Sequence, residues 1–156
     1  MKKSLFIVSV ICFILLAGSY SLARNRKPND GIVHLVHADL LHTDQFAMPG
    51  VQILNGRVHF THGATTLYCD SAYFYEDTNS FRAFGHVRMY QGDTLSLTSD
   101  YAYYDGTDEM AIARNNVVLK HRGKTLYTDS LNYDKAYGIG YFFDGGRLVD
   151  KQNTLV

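Results

Sequence analysis

The segment CDSAYFYED, residues 69–77, returns in altered form as SDYAYYDGT at 99–107 and as TDSLNYDKA at 128–136. The skeleton Asp-x-(Ala/Leu)-x-aromatic survives in each copy. Working outward from it, the aspartates Asp39, Asp70, Asp100 and Asp129 are spaced by 31, 30 and 29 residues. A second series, Gly56, Gly85, Asn116 and Gly146, is spaced by 29, 31 and 30. A third consists of the turns HGATTL, QGDTL, RGKTL and QNTL, around Gly63, Gly92, Gly123 and Asn153. Three interleaved series with one period mark an internal repeat.

Each repeat reads as two strands. VHFTHG and VRMYQG run into a turn whose glycine tolerates positive φ. TLYCDSAYFY and TLSLTSDYAYYD return, rich in Tyr, Thr, Leu and Phe. A second turn follows at EDTNS, DGTDE or DKAYG, and no stretch shows a capped helical period. The fold class expected is all-β: an up-and-down antiparallel array of repeats about 30 residues long.

Parity adds a bend. Leu67, Leu97 and Leu126 stand three residues before the motif aspartate, while Ala72, Ala102 and Leu131 stand two after it. A flat strand cannot place both sets on one face, so the inward face switches near the aspartate. Pairs such as Gly56 with Asp70, Asp70 with Gly85 and Asp100 with Asn116 are each symmetric about an expected turn. Aspartate and Gly/Asn should therefore alternate along one line across the sheet, from Asp39 to Asp129 and Gly146. Glycine or asparagine relieves the backbone there, and aspartate can accept from nearby backbone N–H groups. A sheet bent along that line forms a slot. Its inner walls are expected to carry Leu67, Ala72, Phe74, Val87, Met89, Leu97, Ala102, Tyr104, Val118, Leu126, Leu131 and Tyr133.

The N-terminus is a targeting segment. MKK is a positive n-region, LFIVSVICFILLAG an uncharged core, and SYSLA ends in small residues, so residues 1–23 read as a signal peptide cleaved after Ala23. The competing reading is an uncleaved anchor, because Leu5 to Ala23 is nineteen residues without a charge. Either way the rest is exported: a linker at 24–32, then one domain at 33–156. The mature part holds 13 basic and 15 acidic residues, a net of −2, with no basic footprint for nucleic acid. Cys69 alone remains after the signal, so no intrachain disulfide is expected, and it reads as a small strand residue.

The histidines suggest metal without supporting it. His34/His37 and His59/His62 are HxxH pairs, but residues three apart on a strand point to opposite faces. They read as surface or turn histidines, and no metal or cofactor is expected. The periodic aspartates do not converge as catalytic carboxylates must, so no enzyme is expected.

HADLLHTD, LNGRVHFTHGATTLYCDSAYFY, GHVRMYQGDTLSLTSDYAYYD and NNVVLKHRGKTLYTDSLNYD together resemble the OstA-like family. That family includes periplasmic lipopolysaccharide-transport proteins and the N-terminal domain of an outer-membrane assembly protein. The resemblance covers roughly residues 33–156. It implies an open β-jelly roll whose apolar groove, formed by the wall residues above, holds lipid A acyl chains. It implies a location in the periplasm of a Gram-negative bacterium, and head-to-tail association with itself or with other jelly-roll transport proteins through sheet edges. The fourth repeat departs from the pattern: it has Gly146 but stops at NTLV, before an Asp-x-Leu-x-Tyr half, so the domain reads as truncated there. Two other functions compete: a structural β-repeat scaffold of the envelope without lipid cargo, and a membrane-tethered adaptor.

Overall fold

The computed structural model of the chain describes residues 31–150 and 154–155. The signal or anchor reading of residues 1–23 lies outside the described residues. Among those described, no helix is long and apolar enough to cross a membrane.

The strands are β1 (His34–His37), β2 (Leu40–Thr43), β3 (Gln52–His62), β4 (Thr65–Tyr75), β5 (Ser80–Gln91), β6 (Leu95–Asp105), β7 (Met110–His121), β8 (Lys124–Asp134), β9 (Ile139–Tyr141), β10 (Arg147–Val149) and β11 (Thr154–Leu155). They form one antiparallel sheet in which β3 to β8 follow sequence order. At one edge β3 pairs with both β1 and β2; at the other β8 pairs with both β9 and β10, and β11 returns along β10. The resemblance's expectation of an open β-jelly roll therefore describes the fold.

A single line of bulges crosses the sheet. Asn55 pairs with Ser71 and Val58 with Cys69, so Gly56 and Arg57 oppose Asp70 alone. In the same way Gly85 and His86 oppose Asp100, and Asn115 and Asn116 oppose Asp129. All six residues opposite the aspartates have positive φ, from 43° at His86 to 75° at Gly56. An extra residue in alternate strands bends the sheet and increases its twist. Because the extra residue is repeated at one level, the bends add into a crease.

The crease divides the sheet into two walls. Wall one holds β1, the second halves of β3, β5 and β7, the first halves of β4, β6 and β8, and β10. Wall two holds β2, β9 and the remaining halves. On β4 the inward residues are Leu67 and Cys69 before the crease, and Ala72 and Phe74 after it. On β6 they are Leu97 and Ser99, then Ala102 and Tyr104. One residue at the crease thus shifts the alternation, and each strand buries apolar side chains at both ends.

Two details of the crease differ from the spacing argument. The residue equivalent to Gly56 and Gly85 is Asn115, and Asn116 matches Arg57 and His86. At the C-terminal edge Gly145, with φ 78°, carries the left-handed backbone, and Gly146 lies just past it. Both follow from the bulge taking two residues: spacing along the chain locates the pair, not its member.

Candidate functional site

The aspartates form a ladder on the solvent side of the crease. Asp39 Oδ1 accepts from Arg57 Nε at 2.9 Å and lies 3.1 Å from His37 Nε2. Asp70 Oδ2 pairs with His86 Nδ1 at 2.7 Å, and Asp100 Oδ2 accepts from Asn116 Nδ2 at 2.7 Å. The second bulge residue of each strand therefore reaches back to the preceding aspartate of the series: Arg57 to Asp39 between β1 and β2, His86 to Asp70 on β4 and Asn116 to Asp100 on β6. Asp129 accepts from the Asn116 backbone N–H at 3.4 Å, so backbone capping occurs at this rung while the others are closed by side chains. Asp39 is held below its usual pKa, chiefly by the Arg57 hydrogen bond and next by His37. His86 is raised above its ordinary value by its bond to Asp70. The glycines are required sterically: a Cβ on Gly56 or Gly85 would lie 2.4 Å from the Oδ2 of Asp39 or Asp70.

Opposite the ladder, the walls enclose an apolar interior. Next to the crease, wall two carries the small row Ala72, Ala83, Ala102 and Ala113, ending at Leu131. Above it run Phe74, Phe81, Tyr104, Ala111 and Tyr133. Wall one presents Phe60, Leu67, Met89, Leu97, Leu119 and Leu126. Of the wall residues singled out from sequence, all but Val118 are buried in this interior. Val118 pairs with Thr98 and Tyr127 on the outer face, and Val117 takes the inward position at 1 % exposure. The Asn115–Asn116 bulge sets that phase.

The ends of the trough differ. Near β3 the walls touch. The Phe60 ring stacks on Phe81 with centroids 4.4 Å apart, and lies 5.4 Å from Phe74. His62 Nδ1 is 2.6 Å from the Tyr104 hydroxyl. Burial pushes the Tyr104 phenol pKa up, with smaller contributions from Glu109 and Asp105. A residual cavity of about 10 Å³ between these groups is roughly one water probe in size. Sequence reasoning placed His62 at the surface; it is buried, because its strand parity matches Phe60. A strap closes this end. The Val33 N–H donates to Asn79 Oδ1 at 2.7 Å, Asn79 Nδ2 donates to the Gly31 carbonyl at 2.8 Å, and Val33 is 2 % exposed. Gly31 and Ile32, assigned to the linker from sequence, thus belong to the strap. Toward β7 the packing loosens: Leu119 is only partly buried, and the same strand places Ala111 on wall two.

The remaining HxxH residues do not converge. His59 stacks on Tyr68 on the outer face, and among the described residues no group of three or more His, Cys, Asp or Glu side chains could hold a metal. Cys69 is buried; that burial pushes its thiol up to about 12.

A creased, open antiparallel sheet with a continuous apolar interior defines a β-jelly roll assembled from two-strand repeats. Residues 30–156 match the model of the family described as OstA-like protein, and the chain belongs to that family. No curated protein matches the chain. Its fold is similar to the crystal structure of LptH from Pseudomonas aeruginosa, described as the LptA-homologous periplasmic component of the conserved lipopolysaccharide transport device. That match has a TM-score of 0.67 at 17 % identity, and covers 80 % of this chain and 99 % of LptH.

Proposed function

We propose that the chain is a periplasmic component of lipopolysaccharide transport that shields lipid A acyl chains in the trough on their way to the outer membrane. The observation that carries this reading is the predominantly apolar interior lining both walls of a sheet that does not close into a barrel. Each buried methylene is worth about 0.8 kcal/mol, so such an interior can offset the cost of holding acyl chains in an aqueous compartment. Membership of the OstA-like family and the fold shared with LptH support it. The edges fit assembly in series. Val36, Leu40 and Leu41 are exposed on the β1–β2 edge, and Ile139 and Tyr141 on β9. Unpaired edge strands of this kind can add a strand from a second copy or from another jelly-roll protein.

A photo-crosslinking amino acid at Phe74, Leu97 or Tyr133, used in cells, should yield lipopolysaccharide adducts, and one at Tyr75 or Asn132 should not. Equal labelling at both sets, or none, would overturn the reading. A second reading, an envelope scaffold without cargo, draws on the self-packed contacts of Phe60, Phe81, His62 and Tyr104, which fill one end with protein.

A further inference from the structure

The lips of the trough carry opposite charge: acids predominate in the turns at the end of wall two, and cations in the β7–β8 turn at the end of wall one. On wall two, Asp105 Oδ1 accepts from the Thr107 and Asp108 N–H groups at 2.9 and 3.1 Å. Asp134 Oδ1 accepts from the Tyr137 N–H, and Glu109 is bonded to Lys135 Nζ at 2.8 Å. Of these three acids only Glu109 has a counter-charge; Asp105 and Asp134 cap their own turns and keep the rim acidic. On wall one, the β7–β8 turn reads Lys120-His121-Arg122-Gly123-Lys124. Lys120, Arg122 and Lys124 make no ion pair or side-chain hydrogen bond among the described residues, and all three are exposed. With the adjacent turn they line an open concavity whose only acid is Asp93.

Strand pairing orients this cluster. His121 pairs with Leu95 and with Lys124, which places both on the face that carries Leu119 and Leu126. Arg122 occupies the two-residue turn with φ 48°, followed by Gly123 at 81°. Such turns favour Asn, Asp or Gly at both positions, so arginine is held there against local preference. Its charge is felt across the mouth: burial and Asp134 raise the Tyr133 phenol pKa, and Arg122 lowers it. The cluster also stands at the end of β7, next to the partly buried Leu119.

We propose that this basic lip binds the anionic head group of an amphiphile whose tail lies beside Leu119 in the trough. Arg122 and Lys124 are the principal contacts, and Lys120 adds charge from the outer face. Guanidinium and ammonium donors form charge-assisted bonds to phosphate or carboxylate oxygens. The inference rests on the trough reading above and gives it a polarity: the head sits on wall one's lip, away from the acidic lip.

The test compares dodecyl phosphate, dodecyl maltoside and inorganic phosphate, each below any micelle concentration, by calorimetry and by chemical shifts of the leucine methyls. The native chain should bind dodecyl phosphate more tightly than dodecyl maltoside, shift Leu119 with both, and lose the margin as salt is raised. The double variant R122N/K124Q should lose affinity for dodecyl phosphate by about tenfold and leave dodecyl maltoside unchanged, as removal of two exposed charge contacts implies. Asn suits the turn, so a thermal melt should show no loss of fold. Equal affinity of the native chain for the two detergents, or full retention in the variant, would overturn the head-group site while sparing the trough. Inorganic phosphate binding as tightly as dodecyl phosphate would make this a free-anion site and overturn the proposal. Failure of both detergents to bind would bring down the trough reading together with it.

Discussion

The Nδ1 of His62 on β3 and the hydroxyl of Tyr104 on β6 lie 2.6 Å apart across the mouth of the trough. They belong to opposite walls, so this bond and the Phe60–Phe81 stack hold the creased sheet shut at one end. Tyr104→Phe keeps the ring and removes the bond. The expected loss is about 1 kcal/mol, rising toward 3 if the buried imidazole finds no replacement partner. Urea unfolding would show a lower midpoint with an unchanged slope; an unchanged midpoint would mean that the bond does not contribute.

Adjacent valines test the phase of β7. Val117→Ala removes buried methyls and should cost roughly 2 kcal/mol from lost transfer energy and cavity formation. Val118→Ala, on the outer face, should stay within about 0.5 kcal/mol. Equal costs in thermal melts would contradict the bulge at Asn115 and Asn116.

Gly85→Ala meets two obstacles, a φ of 73° and a Cβ position 2.4 Å from Asp70 Oδ2. Gly92 has a φ of 55° with nothing within 4 Å of its Cβ position. Gly92→Ala should therefore cost only the conformational part, about 1–2 kcal/mol, and Gly85→Ala clearly more. Denaturation curves that rank the two alike would remove the steric role assigned to the ladder.

The ladder has a pH signature. Because the folded His86 pKa is raised by Asp70, the pair's contribution is complete below the unfolded histidine value of 6.5 and is lost as pH rises through the folded value. Asp39 behaves in the opposite sense: its lowered pKa gives a contribution present above 3.8 and lost as pH falls through the folded value. An NMR titration should place the His86 midpoint above 6.5, and Asp70→Asn should bring it down. A midpoint indifferent to that substitution would separate the two residues.

Cys69 offers a reporter of opening. With its thiol pushed up to about 12 by burial, it should resist alkylation at pH 8 in the folded protein and react fully in denaturant. Rapid native labelling would show that the crease opens on its own.

Much of this architecture was legible in the sequence for a physical reason. Each hairpin presents the same alternation to the same interior, so Asp70, Asp100 and Asp129 had to recur with the hairpin length. The parity clash between Leu67 and Ala72 exposed the crease. Val118 was misplaced because two asparagines and two valines in succession leave the phase open by one residue. Phe60, Phe81 and His62 escaped because their partners lie on the other wall, and strand periodicity says nothing of contacts between walls. The basic lip was missed because a charged turn looks like any solvated loop until its position over Leu119 is known.

The bulge line also governs how such a chain can change length. Every strand must reach the crease in step with its neighbours, so inserting one residue between a rim turn and its aspartate would turn that half-strand inside out. A whole hairpin leaves all phases intact. Lineages of this fold should therefore grow or shrink by duplicating or deleting complete repeats, with single-residue insertions confined to the turns.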